Sequence, residues 1–114
     1  MLQNCTSHVF FLSFLGTILK EYTVINDDLE RLSLSVGNNW VSLGRRLNVD
    51  QAMLDAIQVD PRWPHLAEKA FQMLLWWKSK NGSNATYMVL CIALCHEFVG
   101  RRDLAEKICF RKVV

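Results

Sequence analysis

Apolar residues recur at helical spacing along most of the chain, and the clearest run is Leu66–Trp77, LAEKAFQMLLWW. At about 100° per residue, Leu66, Ala70, Met73, Leu74 and Trp77 share one side of a helix, and the polar stretch KSKNGSN follows at once. A stripe of this kind is stable only against matching faces on other amphipathic segments. Phe71, Leu75 and Trp76 lie off the stripe. Leu75 points almost opposite to it, so it is expected to meet solvent or a partner.

Five further segments show the same period. Asn26-Asp27-Asp28 reads as an N-cap with acidic first-turn residues, where the helix dipole favours negative charge. Leu29, Leu32 and Val36 form its thin stripe, and Gly37-Asn38 ends it. Trp40, Leu43, Gly44 and Leu47 then mark a short second helix with Arg45 and Arg46 on its outer side. Asp50 is the expected cap of a third, with Met53, Leu54 and Ile57 inward and Asp55 outward. Asp60-Pro61 and Trp63-Pro64 interrupt the chain, because a residue before proline avoids the α region. Pro64 suits the first turn of the fourth helix, where its missing N–H does no harm. Gly82 and Asn84 close that helix, and Asn84 is placed to cap a fifth with the stripe Tyr87, Leu90, Cys91, Leu94 and Phe98. Gly100 ends it, and Arg101-Arg102-Asp103 opens a sixth with Leu104, Ala105 and Ile108 inward. No alternating strand pattern competes with this outside the N-terminal leader. The pattern predicts an all-α bundle with short loops.

At 114 residues the chain suffices for one domain with a modest core. The net charge of +2 is small and both signs are interspersed, which argues against nucleic acid and against a helix-turn-helix DNA binder. The cysteines, Cys5, Cys91, Cys95 and Cys109, lack zinc spacing and the density of a disulfide scaffold, and read as buried thiols of a reducing cytosol. Cys91 and Cys95 with His65 or His96 come nearest to a metal set, and Cys95-His96 nearest to a nucleophile with its base. Neighbouring helix residues diverge by about 100°, however, and no third group orients such a pair. No catalytic, cofactor, metal or small-molecule site is expected.

The leader His8–Leu19, HVFFLSFLGTIL, is strongly apolar but shorter than the roughly 20 residues of a membrane span. No Lys or Arg precedes it and no cleavage site follows, as a signal peptide would require. A membrane-anchored or secreted helical glycoprotein is the rival reading, to which N-x-S/T sequons at Asn4, Asn81 and Asn84 lend weight. Asn81 and Asn84 are better read as caps and turn residues in an interhelical loop, so membrane association is not expected, and the leader reads instead as an extra helix or strand packed on the domain, or as an apolar tail from a longer parent chain. The chain divides into a leader at 1–25, a helical domain at 26–110 and a tail at 111–114.

The ordered set Trp40-x-x-Leu43-x-x-x-Leu47, Leu54-x-x-Ile57, Ala70-x-x-x-Leu74-x-x-Trp77, Asn84-Ala85-Thr86-x-x-x-Leu90-x-x-Ala93-Leu94 and Arg102-Asp103-Leu104-Ala105 resembles a death domain. It departs from the family at Gly44, usually Ala, and at Leu75, often charged. The resemblance implies a six-helix antiparallel Greek-key bundle, cytoplasmic and without catalytic groups. It also implies homotypic assembly with other death-domain proteins or with itself, building signalling complexes in apoptosis or NF-κB activation. Members include adaptors, receptor tails, ankyrins and netrin receptors, and these residues do not choose among them. The partner-binding residues it implies are Arg45, Arg46, Asp50 and Asp55 on the second and third helices. Opposing them would be Asp27, Asp28, Glu30, Arg31, Glu68 and Lys69 on the first and fourth. Arg101, Arg102 and Asp103, and the 78–83 loop, would make further contacts. Leu75 and Trp76 are the expected apolar anchors, since aromatic residues are enriched at interface hot spots.

Overall fold

Six α-helices stand where six amphipathic segments were expected, in a computed structural model that describes residues 16–112. They are α1 (Asn26–Val36), α2 (Trp40–Arg46), α3 (Gln51–Val59), α4 (Leu66–Asn81), α5 (Tyr87–Cys95) and α6 (Arg102–Cys109). The architecture is an all-α antiparallel Greek-key bundle. The long α4 packs on α1, α2 and α3, while α6 packs on both α5 and α1. Trp40, Trp77 and Tyr87 are the largest fully buried side chains, and Leu29, Leu32, Leu43, Leu54, Met73, Leu74, Leu90 and Leu94 close around them.

Gly44 explains one departure from the family pattern. A methyl group there would lie 2.7 Å from Leu54 Cδ2 and 3.2 Å from Met73 Cγ, so alanine requires those two side chains to shift. Gly82 sits at a φ of +54° and turns the chain out of α4, a conformation that costs glycine little.

The helix ends differ from expectation in several places. Asn26 is the first residue of α1 rather than its cap; Ile25 holds that position. The cap of α5 is Thr86, whose Oγ1 accepts a hydrogen bond from Val89 N at 3.2 Å, and not Asn84. Pro64 lies just outside α4, for which His65 is the cap position. Leu66 is exposed rather than inward, at the first position of α4. Phe98 is 65% exposed instead of continuing the buried stripe. Helix α5 stops at Cys95, where His96 turns to an extended ψ of 143°, and Val99 takes the inward position in the turn that follows.

A strand was one of the readings of the leader; its pairing with the residues after α6 was not expected. Strand β1 (Thr17–Leu19) pairs antiparallel with β2 (Phe110–Lys112), Ile18 opposite Arg111. The segment between β1 and α1 is then held to the bundle by hydrogen bonds from Lys20 N to Cys109 O and Val24 N to Ala85 O, both 2.9 Å, and Val24 is buried. Cys5, the Asn4 sequon and the greater part of the apolar leader, up to position 15, lie outside the described residues. Among the described residues no helix is long and apolar enough to cross a membrane.

Candidate interaction surfaces

The end of α2 carries a basic corner. Arg45 and Arg46 are both exposed, as the outward side of a short helix requires. Arg45 Nε donates to Gln51 Oε1 at 3.1 Å, and Gln51 Nε2 donates to Asp55 Oδ1 at 2.9 Å. The two expected site residues Arg45 and Asp55 are thereby joined through Gln51, with the exposed Asp50 beside them at the start of α3. The Arg46 guanidinium lies over the Phe98 ring at 5.5 Å, and His96 stacks on Phe98 at 5.1 Å. A cleft of about 380 Å³ opens among Ser42, Arg45, Arg46 and Phe98. Phe98 is thus a surface residue that helical periodicity assigned to the core. With Val99 beside it, only the place where α5 stops decides which of the two points outward.

An acidic face lies on α1. Asp27 and Glu30 are exposed and flank Leu34, which is 72% exposed, and Arg31 borders the same shallow cleft of about 170 Å³. Two charges expected on this surface are absent from it. Asp28 is buried, and Lys69 of α4 is only 8% exposed, with Nζ donating to Gln58 O at 2.8 Å across to α3. Each faces a polar partner in the interior, which a surface reading of the charge pattern does not anticipate. Glu68 is half-buried.

At the start of α6, Arg101 grips Asp103 with two hydrogen bonds of 3.0 Å and donates Nη1 to Ser35 O at 3.0 Å. The Arg101 guanidinium beside it holds the Asp103 carboxyl below the usual carboxylate range. Arg101 therefore ties α6 to the end of α1, and Arg102 is left as the exposed cation of that corner.

Leu75 and Trp76, the expected apolar anchors, are half-buried rather than fully exposed. They line a cleft of about 550 Å³ between α3 and α4, together with Met53, Ala56, Ile57 and Trp63. Leu75 faces away from the core stripe as its phase implied, but toward this cleft.

Asp28 organises a polar cluster inside the fold. Its carboxylate accepts hydrogen bonds from Tyr87 Oη at 2.6 Å, Lys20 Nζ at 2.7 Å and Arg31 Nη1 at 2.8 Å. Burial alone would push its pKa up. Lys20, Tyr87 and Arg31 together outweigh that and hold it below the ordinary value. Burial, with the Asp28 carboxylate beside it, pushes the Tyr87 phenol well above its usual range. Tyr87 Oη also accepts from Ile25 N at 3.1 Å, fixing the entry of the chain into α1.

Cys91 and Cys109 are buried and Cys95 is half-buried, and among the described residues no group of three His, Cys, Asp or Glu side chains converges as metal ligands. The triplet Asn84-Ala85-Thr86 acts as a helix start, with Ala85 fully buried and Thr86 capping α5. In comparison with known proteins, the sequence model of the family described as Death domain matches residues 26–110. No curated protein and no solved structure matches the chain.

Proposed function

The chain belongs to the death-domain family, and we propose that it binds other death domains, or copies of itself, to assemble cytoplasmic signalling complexes of the apoptotic or NF-κB-activating kind. Death domains are protein–protein interaction modules rather than enzymes. The observation that carries the proposal is the family match across the whole helical bundle, residues 26–110. Two surfaces of opposite sign support it. The basic corner holds Arg45 and Arg46 around Phe98, and the acidic α1 face holds Asp27 and Glu30 around Leu34. The corner sets Phe98 beside two cations, and the α1 face sets Leu34 among two carboxylates and Arg31, whose guanidinium is paired with Asp28, so one chain's corner complements another's α1 face. Asp50 and Asp55 border the basic corner and the Arg101–Asp103 pair reaches the end of α1, and these, with Glu68 and Arg102 elsewhere on the surface, would set register more than affinity.

Light scattering on the full chain, alone and with a panel of purified death domains, tests this. Association is expected to weaken with rising salt. Arg46→Glu and Glu30→Arg should each lower it at least about tenfold, while an equimolar mixture recovers a dimer through the intact face of each. A chain that stays monomeric and binds none of the panel would overturn the reading.

A further inference from the structure

Helices α3 and α4 build a groove whose two walls share one period. Met53, Ala56, Ile57 and Asp60 stand at i, i+3, i+4 and i+7 along α3 and its end, and Gln72, Leu75, Trp76 and Ser79 repeat that spacing on α4. Trp63, from the loop between the helices, is also part of the lining. The volume of about 550 Å³ falls within the roughly 300–1,000 Å³ of ligand-binding clefts. Met53, Trp63 and Trp76 are only partly buried against the core, and methionine adapts readily to an incoming surface. Leu75 and Ser79 also line a second cleft of about 400 Å³ with Thr23, Asn26, Lys78 and Gly82, so the depression continues toward the end of α4.

The charges around it are unequal. Arg62 neutralises Asp60, with Nη2 at 2.8 Å from Oδ2, and lies over Trp63 at 5.3 Å. Lys80 Nζ rests 5.5 Å from the centre of the Trp76 ring, and Lys78 Nζ donates to the neutral Asn26 Oδ1 at 2.8 Å. Neither lysine forms an ion pair among the described residues. The rim along α4 is therefore left positive.

We propose that this groove docks an amphipathic helix of a partner protein, its apolar stripe on Met53, Ile57, Leu75 and Trp76 and its acidic edge toward Lys78 and Lys80. Two helical walls with a largely apolar lining are the setting in which a third helix places side chains at i, i+3 or i+4, and i+7. Among the described residues, the helices of a second copy expose only single large apolar side chains, Leu34 on α1, Val59 on α3, Leu66 on α4 and Val89 on α5, and no stripe. The inference therefore goes beyond homotypic association.

Three labelled peptides of about 18 residues, some 27 Å when helical, test it against the full chain by fluorescence anisotropy. One carries Leu at i, i+3, i+4 and i+7 with Glu on the flanks, one replaces every Glu by Lys, and one keeps the first composition with the stripe scrambled. The acidic peptide is expected to bind saturably at one per chain, at least tenfold tighter than either control. Ala56→Trp, which fills the groove from an exposed position, should weaken it at least tenfold while self-association persists. Leu75→Glu should weaken it likewise with helix content unchanged; were that variant to unfold, Ala56→Trp decides. Binding of the scrambled or lysine peptide as tight as that of the acidic one, absence of saturation, or indifference to Ala56→Trp would each overturn the proposal.

Discussion

Replacing Lys20 by Met should destabilise the fold by about 2–3 kcal/mol at pH 7, although Lys20 lies outside the family-matched segment 26–110. The magnitude follows from the cluster around Asp28. Lys20 and Asp28 side chains are 14% and 6% exposed and meet at 2.7 Å, so solvent screens the pair little. A charge-assisted hydrogen bond of this kind contributes about 1.5–3 kcal/mol. Lys20 Nζ also lies 5.1 Å from the Tyr87 ring centre, which adds up to about 1 kcal/mol. Removing one partner of a buried pair costs as much as 3–5 kcal/mol when the other charge is left alone. Here Tyr87 and the largely solvated Arg31 still serve Asp28, so the cost stays below that limit. Methionine keeps most of the stem volume and isolates the charge effect. For a domain of this size the loss corresponds to a fall in Tm of about 10–15 °C. The pH dependence supplies the sharper check. Asp28 is depressed in the folded state, so its contribution is complete above the unfolded carboxyl pKa of about 4 and is lost as pH falls below it. In Lys20→Met the upward push of burial gains ground, and the carboxyl takes up its proton at higher pH. Urea unfolding followed by circular dichroism should therefore show the gap between the two proteins narrowing from pH 7 to pH 3. A gap under about 0.5 kcal/mol at pH 7, or one that stays constant across that range, would refute the assignment of Lys20 as the main counter-charge.

Trp77→Ala should cost about 3–5 kcal/mol, since the side chain is fully buried and its loss leaves a cavity; a smaller change in urea midpoint would mean that α4 repacks. Gly44→Ala sets about 1 kcal/mol of helix propensity against a collision with Leu54 and Met73, both fully buried. Overpacking of 1–3 kcal/mol is expected to win. A net loss of about 1 kcal/mol should appear as a lower Tm, and a rise would show that those two side chains move aside freely.

The helices were legible because periodicity is a local signal, and Met73, Leu74 and Trp77 sit where their phase puts them. Helix ends were less legible. The stripes of α4 and α5 continue in the sequence at Leu66 and Phe98, but burial depends on what packs opposite, and both side chains stay exposed, Phe98 against Arg46 and His96 at the surface. The leader admitted a strand, but its pairing was invisible for a related reason. Three residues are too few to show alternation, and the partner of Thr17–Leu19 lies at Phe110–Lys112, at the other end of the chain. That pairing costs loop-closure entropy that no local pattern records.

For the surfaces, the phase of a helix tells which charges start outward, not which of them turn back to satisfy one another. Asp27 and Asp28 read alike as acidic first-turn residues, yet Asp28 meets Lys20 from before the helix and Tyr87 from far after it and leaves the surface. Lys69 finds Gln58 O in the same way, and Arg101 finds Ser35 O and Asp103 while Arg102 stays exposed. Apart from the local Arg101–Asp103 pair, these contacts join different elements of the fold, so only the folded chain separates charges that hold the bundle together from those still exposed. The charges that stay exposed include Arg45, Arg46 and Arg102 as cations, Asp27 and Glu30 as carboxylates on α1, and Asp50 and Asp55 beside the basic corner. A molecule with a net charge of only +2 can in this way present two faces of opposite sign, which is the arrangement that head-to-tail association requires.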